Sequence, residues 1–425
     1  MEQLLTLTRL ITKSEERNYI EIPFAIENDL SRLMVKYEVI SQGSNPCVVD
    51  LGVRDQSRVR GWSGGARSEF YIGIDQATPG YTPGDLRAGE WAILLGAYRI
   101  AEEGCVVKLT IISEEKTVLQ KSWLKGDLHL HTIHSDGSYL VRENVQIAAQ
   151  HGLDIIGAMD HNVTSQNAEY ESFGDILSIP GMELTTYEGH CNLFGVKEPV
   201  LDFRAQTTNE MKSKLQEAKA KGALISINHP FDDGCPWNYG FDLEFDAVEV
   251  WNGPWRECNE KAVQWWHEQL VRGMRIPAVG GSDTHRPDPY VRHGYPTTRI
   301  YAEKSVAGIL SAIRAGNVTL SYSPSGPAIE LRADQAIAGD LCKPEQEVSV
   351  SISGLEKGDE IKIISNREIE YTFVVESGQS TFHYLWQHEK ERSFYRIEVW
   401  RTFSAFGKKG MAALSNPIYF LRENI

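Results

Sequence analysis

The sequence predicts an α/β fold: a centre in which strands alternate with helices, as in a parallel sheet or barrel, between two β-rich, sandwich-like ends. Three observations carry this. Residues up to about 120 and beyond about 325 alternate apolar and polar side chains at period two. Between them, short apolar runs alternate with helical segments. Ten of the twelve histidines also fall between 129 and 293. The expected domains are therefore 1–122, 123–324 and 325–425.

In the first region "NYIEIPFAI", "RLMVKYEVI" and "CVVKLTII" are strand-like, and an antiparallel sandwich is expected. The intervening "RGWSGGARSEFYIGIDQATPGYTPGDL" is dense in Gly and Pro and reads as turns and exposed loops. In the centre the apolar runs are "LKGDLHLHT", "LDIIGAMDHN", "ILSIPGMEL", "HCNLFGV", "ALISINHP", "DAVEVWNG" and "RIPAVGGSDTH". Two helices are expected at "VRENVQIAAQHG" and "NEMKSKLQEAKAKG". The second puts Met211, Leu215 and Ala218 on one face and stops at Gly222. In the last region "EVSVSISG", "DEIKIISN", "YTFVVES" and "YRIEVWR" alternate cleanly.

Composition narrows the function. The 425 residues carry a formal net charge of −15. This argues against a nucleic-acid-binding surface, which would be basic. Six scattered cysteines with no CxxC pair argue against a disulfide framework. The start lacks a basic n-region, apolar core and cleavage site, and no run reaches eighteen apolar residues. A cytoplasmic protein with no membrane partner is expected.

Potential metal ligands stand at or just after the ends of the apolar runs: His129 and His131, Asp160 and His161, Glu183, His229, Asp283 and His285. On a strand, residues i and i+2 share a face, so both imidazoles of "HLH" can serve one cation. At the C-terminal rim of a β/α barrel all these groups would converge. Asp136 lies in the next loop, within reach of a neighbouring ion. His134 reads as exposed loop, and His190 as a strand histidine. Each motif has an ordinary structural explanation by itself; their joint position at strand ends does not.

The ordered set "HLH…D", "DH", "GME…GH", "NHP" and "SDTH" resembles the PHP (polymerase and histidinol phosphatase) metallohydrolase superfamily. The flanking "RGWSGGAR", "ATPGYTPGDL" and "ALSNPIY" are similar to its CehA/McbA-like subgroup. The resemblance implies a distorted (β/α)7, TIM-like barrel with two or three divalent ions. It assigns the first ion to His129, His131, Glu183 and Asp283. The second goes to Glu183, His190 and His229, with Glu183 as the bridge, and the third to Asp136, His161 and His285. Asp160 would orient a ligand histidine. Arg286, and less directly Arg67, would meet the substrate.

The ligand set is imidazole and carboxylate without thiolate, which fits zinc, manganese or iron. Such a centre lowers the pKa of a bridging water, and the resulting hydroxide attacks phosphorus or a carbonyl carbon. A phosphoesterase acting on a small organic phosphate is the leading expectation. A carbon-ester, carbamate or amide hydrolase is the alternative. A metal- or ligand-binding protein without turnover is the alternative of another class. The natural substrate, the metal and the oligomeric state stay open at this level.

Overall fold

The structure, a computed structural model, describes residues 2–116, 120–174, 176–344, 346–404 and 407–421. The chain divides into two compact units, Met1–Leu119 and Gln120–Ile425.

The first unit is two antiparallel four-stranded sheets. One has the order Glu2–Ile11, Cys105–Glu115, Leu30–Ser41, Glu69–Gly73; the other runs Tyr19–Ile26, Gly89–Arg99, Val48–Arg54, Val59–Gly64. Alternation decides what lies inside: Cys105, Val107, Leu109 and Ile111 face Leu51, Val53, Trp91 and Ile93 in one core cluster. The Gly- and Pro-dense stretch contributes two of these strands, Val59–Gly64 and Glu69–Gly73, where loops alone were expected. Buried Arg60 organises the remainder. Its guanidinium reaches Asp55 at 3.1 Å and donates to the carbonyls of Thr82, Gly84 and Asp85.

The second unit is mostly sheet, with five α-helices among the described residues. The strand Ser122–Leu130 pairs in parallel with Ile155–Ala158 and antiparallel with Thr297–Ala302. A separate sheet has the order Gly181–Thr186, Gly189–Phe194, Leu224–Ile227, Ala247–Asn252, Ala278–Gly281. The helix Thr208–Ala220 is capped by Thr207, whose side chain accepts from Glu210 N–H, and buries Met211, Leu215 and Ala218. Gly222 stops it at a positive φ of 86°.

The strands of the expected distorted, TIM-like barrel do not close into one continuous sheet. Among the described residues, the backbone pairing between the two sheets is limited to single bridges, Leu130↔Thr284 and His161↔Glu183. Two physical causes are visible. The strands Gly181–Thr186 and Gly189–Phe194 form a tight antiparallel hairpin, so no crossover helix separates them. At the seams the chain also leaves extended backbone: Asn162 and Asp283 have positive φ values of 56° and 55°. Such residues cannot continue a ladder.

After residue 325 the strands continue the first of these sheets. Val318–Ser321 pairs with Lys408–Ser415, which leads on to Phe394–Phe403, Glu360–Ser365 and Ile369–Val374. A second antiparallel sheet, Ala336–Ile337, Ala328–Ala333, Glu347–Ser353, Thr381–Gln387, shares a core with it through Ile329, Val350, Ile363, Ile397 and Val399. No helix among the described residues is long and apolar enough to cross a membrane.

Candidate metal centre

His129 on the strand Ser122–Leu130 and His131, the residue just past its end, are both fully buried. Leu130 turns the other way, into a cluster with Val141, Val145 and Ile156. Glu183 enters from the next sheet. Its carboxylate lies 3.3 Å from His129 Nε2, 3.7 Å from His131 Nε2, 2.8 Å from His161 Nδ1, 3.3 Å from His190 Nδ1 and 3.5 Å from His229 Nε2. Asp283 Oδ1 stands 3.4 Å from His129 Nε2 and 3.0 Å from His131 Nε2. Distant parts of the chain therefore converge on one carboxylate.

Three groups of donors could each hold a cation: His129, His131 and Asp283; His131, Asp136, His161 and His285; and His190, His229 and Cys235. The second group is the most regular. Asp136 Oδ1 is 3.2 Å from His161 Nε2 and 3.3 Å from His285 Nε2, and the two nitrogens are 3.3 Å apart. Those separations match the edge of a tetrahedron with bonds of about 2.0 Å. Three buried ring nitrogens, His129 Nε2 and both nitrogens of His131, make no hydrogen bond of acceptable geometry among the described residues. Orphaned buried groups are rare and call for a partner. Here both Nε2 atoms point at carboxylates, as ligands of a shared cation do. The donor set therefore fits divalent ions.

The carboxylates and imidazoles of the cluster are strongly coupled. Burial opposes the charge on Glu183, yet His129 and His190 hold its pKa well below the usual carboxylate range. Asp283 is likewise held down, against burial, by His129 and His131. Burial would neutralise His129, but Asp283, Glu249 and Glu183 raise its pKa well above normal. His131 is pushed down to about 4 by burial, which keeps its ring neutral and free to ligate.

A further layer fixes the ligands. Glu249 Oε1 meets His129 Nδ1 at 3.0 Å, while its Oε2 accepts from His229 N–H and from Asn252 Nδ2, both at 3.1 Å. Asn252 also donates to Asp283 Oδ2 at 3.2 Å, and Asn228 donates to Glu183 Oε1 at 2.8 Å. Asp127 accepts backbone N–H bonds from His129, Ser282 and Gly294, and burial pushes its pKa up to about 6.

Of the polar groups around the cluster, sequence reasoning named Asn252 only as a pocket residue and did not single out Glu249, Asn228 or Cys235. A charged residue at the alternating position of the wholly buried strand Ala247–Asn252 was the available signal for Glu249. Asp160 is buried, but its carboxylate accepts from Thr132 N–H, Thr132 Oγ1 and Ser135 Oγ. It thus pins the loop after His131 rather than orienting a histidine. His134 stands apart from the three groups and meets Ser165 and Glu169. Arg286 is exposed and forms no ion pair among the described residues. Trp251 is core, packed edge-on against Trp255.

No family model and no curated protein matches the chain. Solved structures give faint likenesses. One is a two-domain protein containing a predicted PHP-like metal-dependent phosphoesterase from Bacteroides vulgatus. It is 20% identical over 71% of this chain and 99% of that one, with a TM-score of 0.40. Another is an amidohydrolase from Chromobacterium violaceum with bound sulfate and no metal. It is 16% identical over 40% of this chain and 90% of that one, with a TM-score of 0.29. Likenesses of this strength fix neither the fold nor the activity.

Proposed function

We propose that the chain is a metal-dependent hydrolase of the PHP type, cleaving a phosphomono- or phosphodiester of a small organic molecule. The observation that carries this is the convergence of five histidine rings on Glu183, with three orphaned buried nitrogens among them. His129, His131, Glu183 and Asp283 would hold one ion, Glu183, His190 and His229 a second, and Asp136, His161 and His285 a third. Bound divalent ions supply an activated water and Lewis acidity towards the oxygen that gains charge.

The remaining chemistry belongs to the chain. Glu249 keeps the His129 proton on Nδ1, so that Nε2 faces the centre. Asn228 and Asn252 hold the Glu183 and Asp283 carboxylates in place by donating to one oxygen of each. Arg286 supplies an unpaired guanidinium for a phosphate oxygen. Arg256, 3.4 Å from Asn252 Oδ1 and 3.3 Å from Asp232, is a second cation near the centre.

A second reading has support in the same contacts. No Lys or Arg pairs directly with the proposed ligands among the described residues. A neutral carboxylic ester, carbamate or amide needs no such cation. The test is metal analysis of the purified protein followed by a chromogenic phosphodiester and a naphthyl carbamate. Phosphodiester turnover that is lost in Glu183→Ala supports the first reading. Turnover of the carbamate alone replaces it with the second. Bound phosphate analogue without hydrolysis of any ester would leave a binding protein.

A further inference from the structure

We propose that Cys235 is a thiolate ligand, completing a soft His190–His229–Cys235 corner that selects zinc or iron(II) over harder ions. This rests on the reading of the site as a metal centre. It departs from the sequence expectation of a purely imidazole and carboxylate set.

Donor atoms of His190, His229 and Cys235 all lie within 4.8 Å of one another. The separation of Cys235 Sγ from His229 Nδ1 is 3.7 Å. A tetrahedral zinc ion with Zn–S of about 2.3 Å and Zn–N of about 2.0 Å has an S–N edge of roughly 3.5 Å. The observed pair is therefore spaced for a shared ion as well as for a thiol hydrogen bond, and the thiol also lies 3.8 Å from Asp232 Oδ1. The His229 side chain is only 4% exposed. Nδ1 of this buried ring has no hydrogen-bond partner other than the thiol among the described residues. The ring presents its other nitrogen, Nε2, to Glu183, so an ion held by Nδ1 and the sulfur lies on the far side of the ring and is distinct from one held beside Glu183.

The loop after His229 returns the thiol to this position. His229 C=O accepts from Asp232 N–H at 2.9 Å, and Pro230 C=O accepts from Trp237 N–H at 3.0 Å. The Asp232 carboxylate accepts from Gly234 N–H at 2.9 Å and is held by Arg256 at 3.3 Å. Cys235 stays half-buried, so a cation from solvent can reach it. A sulfur donor beside two imidazoles favours borderline and soft divalent ions, while magnesium and calcium prefer oxygen.

The test uses the full chain, stripped of metal and loaded with cobalt(II). The expected spectrum has visible d–d bands and, in addition, an intense near-ultraviolet sulfur-to-cobalt band. Cys235→Ser should remove the near-ultraviolet band, keep visible absorption, and weaken zinc retention by about tenfold or more. Independently, zinc should slow alkylation of Cys235 by iodoacetamide, followed by peptide mass spectrometry. If cobalt binds with visible bands alone, or the near-ultraviolet band survives in Cys235→Ser, the ligand role is overturned and the metal centre stands. Alkylation unchanged by bound zinc overturns it as well. If no cobalt binds at all, the centre itself is refuted and the corner with it.

Discussion

A histidine offers one ring nitrogen to a cation only when the other is held in the matching tautomer. Glu249 performs this for His129 and at the same time receives His229 N–H and Asn252. Replacing it by Gln keeps the shape but removes the charge that makes the imidazole a better donor. Glu249→Gln should therefore weaken divalent-ion affinity by about 10–100-fold, read by calorimetric titration of the metal-free protein. An unchanged affinity would mean that Glu249 is only a packing group. The same scale explains why Asp160 was misread. It neighbours His161 in sequence, but successive side chains of extended backbone point to opposite sides. Its carboxylate consequently serves Thr132 and Ser135, and the residue that orients a ligand comes from a strand 120 positions beyond His129.

Strand ends place the ligands, and close strand approach keeps them there. Gly281 shows how close. A Cβ at this position would sit 2.3 Å from His129 Cβ and 3.0 Å from Glu249 Oε1. Neither neighbour can yield without moving a ligand or its orienting carboxylate. Gly281→Ala should cost about 1–3 kcal/mol of stability, and should lower metal affinity with it; thermal unfolding with and without zinc measures both. A variant as stable and as metal-binding as the parent would show that the strands separate readily. Period-two alternation made the strands legible in the sequence, and with them the place of His129 and His131 at a strand end. It also made the helix Thr208–Ala220 legible, because its apolar spacing and its stop at Gly222 are local. Barrel closure was not legible. It depends on which distant strands pair, and the hairpin at Gly181–Phe194 and the positive φ at Asn162 and Asp283 interrupt the ladders without a local sign.

At the scale of the molecule, the division into two units separates stability from chemistry. Every proposed ligand lies in Gln120–Ile425, whereas Met1–Leu119 has its own two-sheet core and none of these residues. Cations that bind only the native second unit add RT ln(1 + [L]/Kd) to its stability, about 4 kcal/mol at a thousandfold excess over Kd. They add nothing to a transition in which no ligand is released. Scanning calorimetry of the full chain should therefore show unfolding that departs from a single two-state step. Chelator should move the component belonging to Gln120–Ile425 down by several degrees and leave the other in place. Proteolysis during the scan identifies each component, since a unit becomes cleavable when it opens. If chelator moves both components together, the units are energetically one body, and the first unit takes part in holding the centre. If it moves neither, the converging imidazoles hold no cation strongly enough to matter, and the hydrolase reading loses its physical basis.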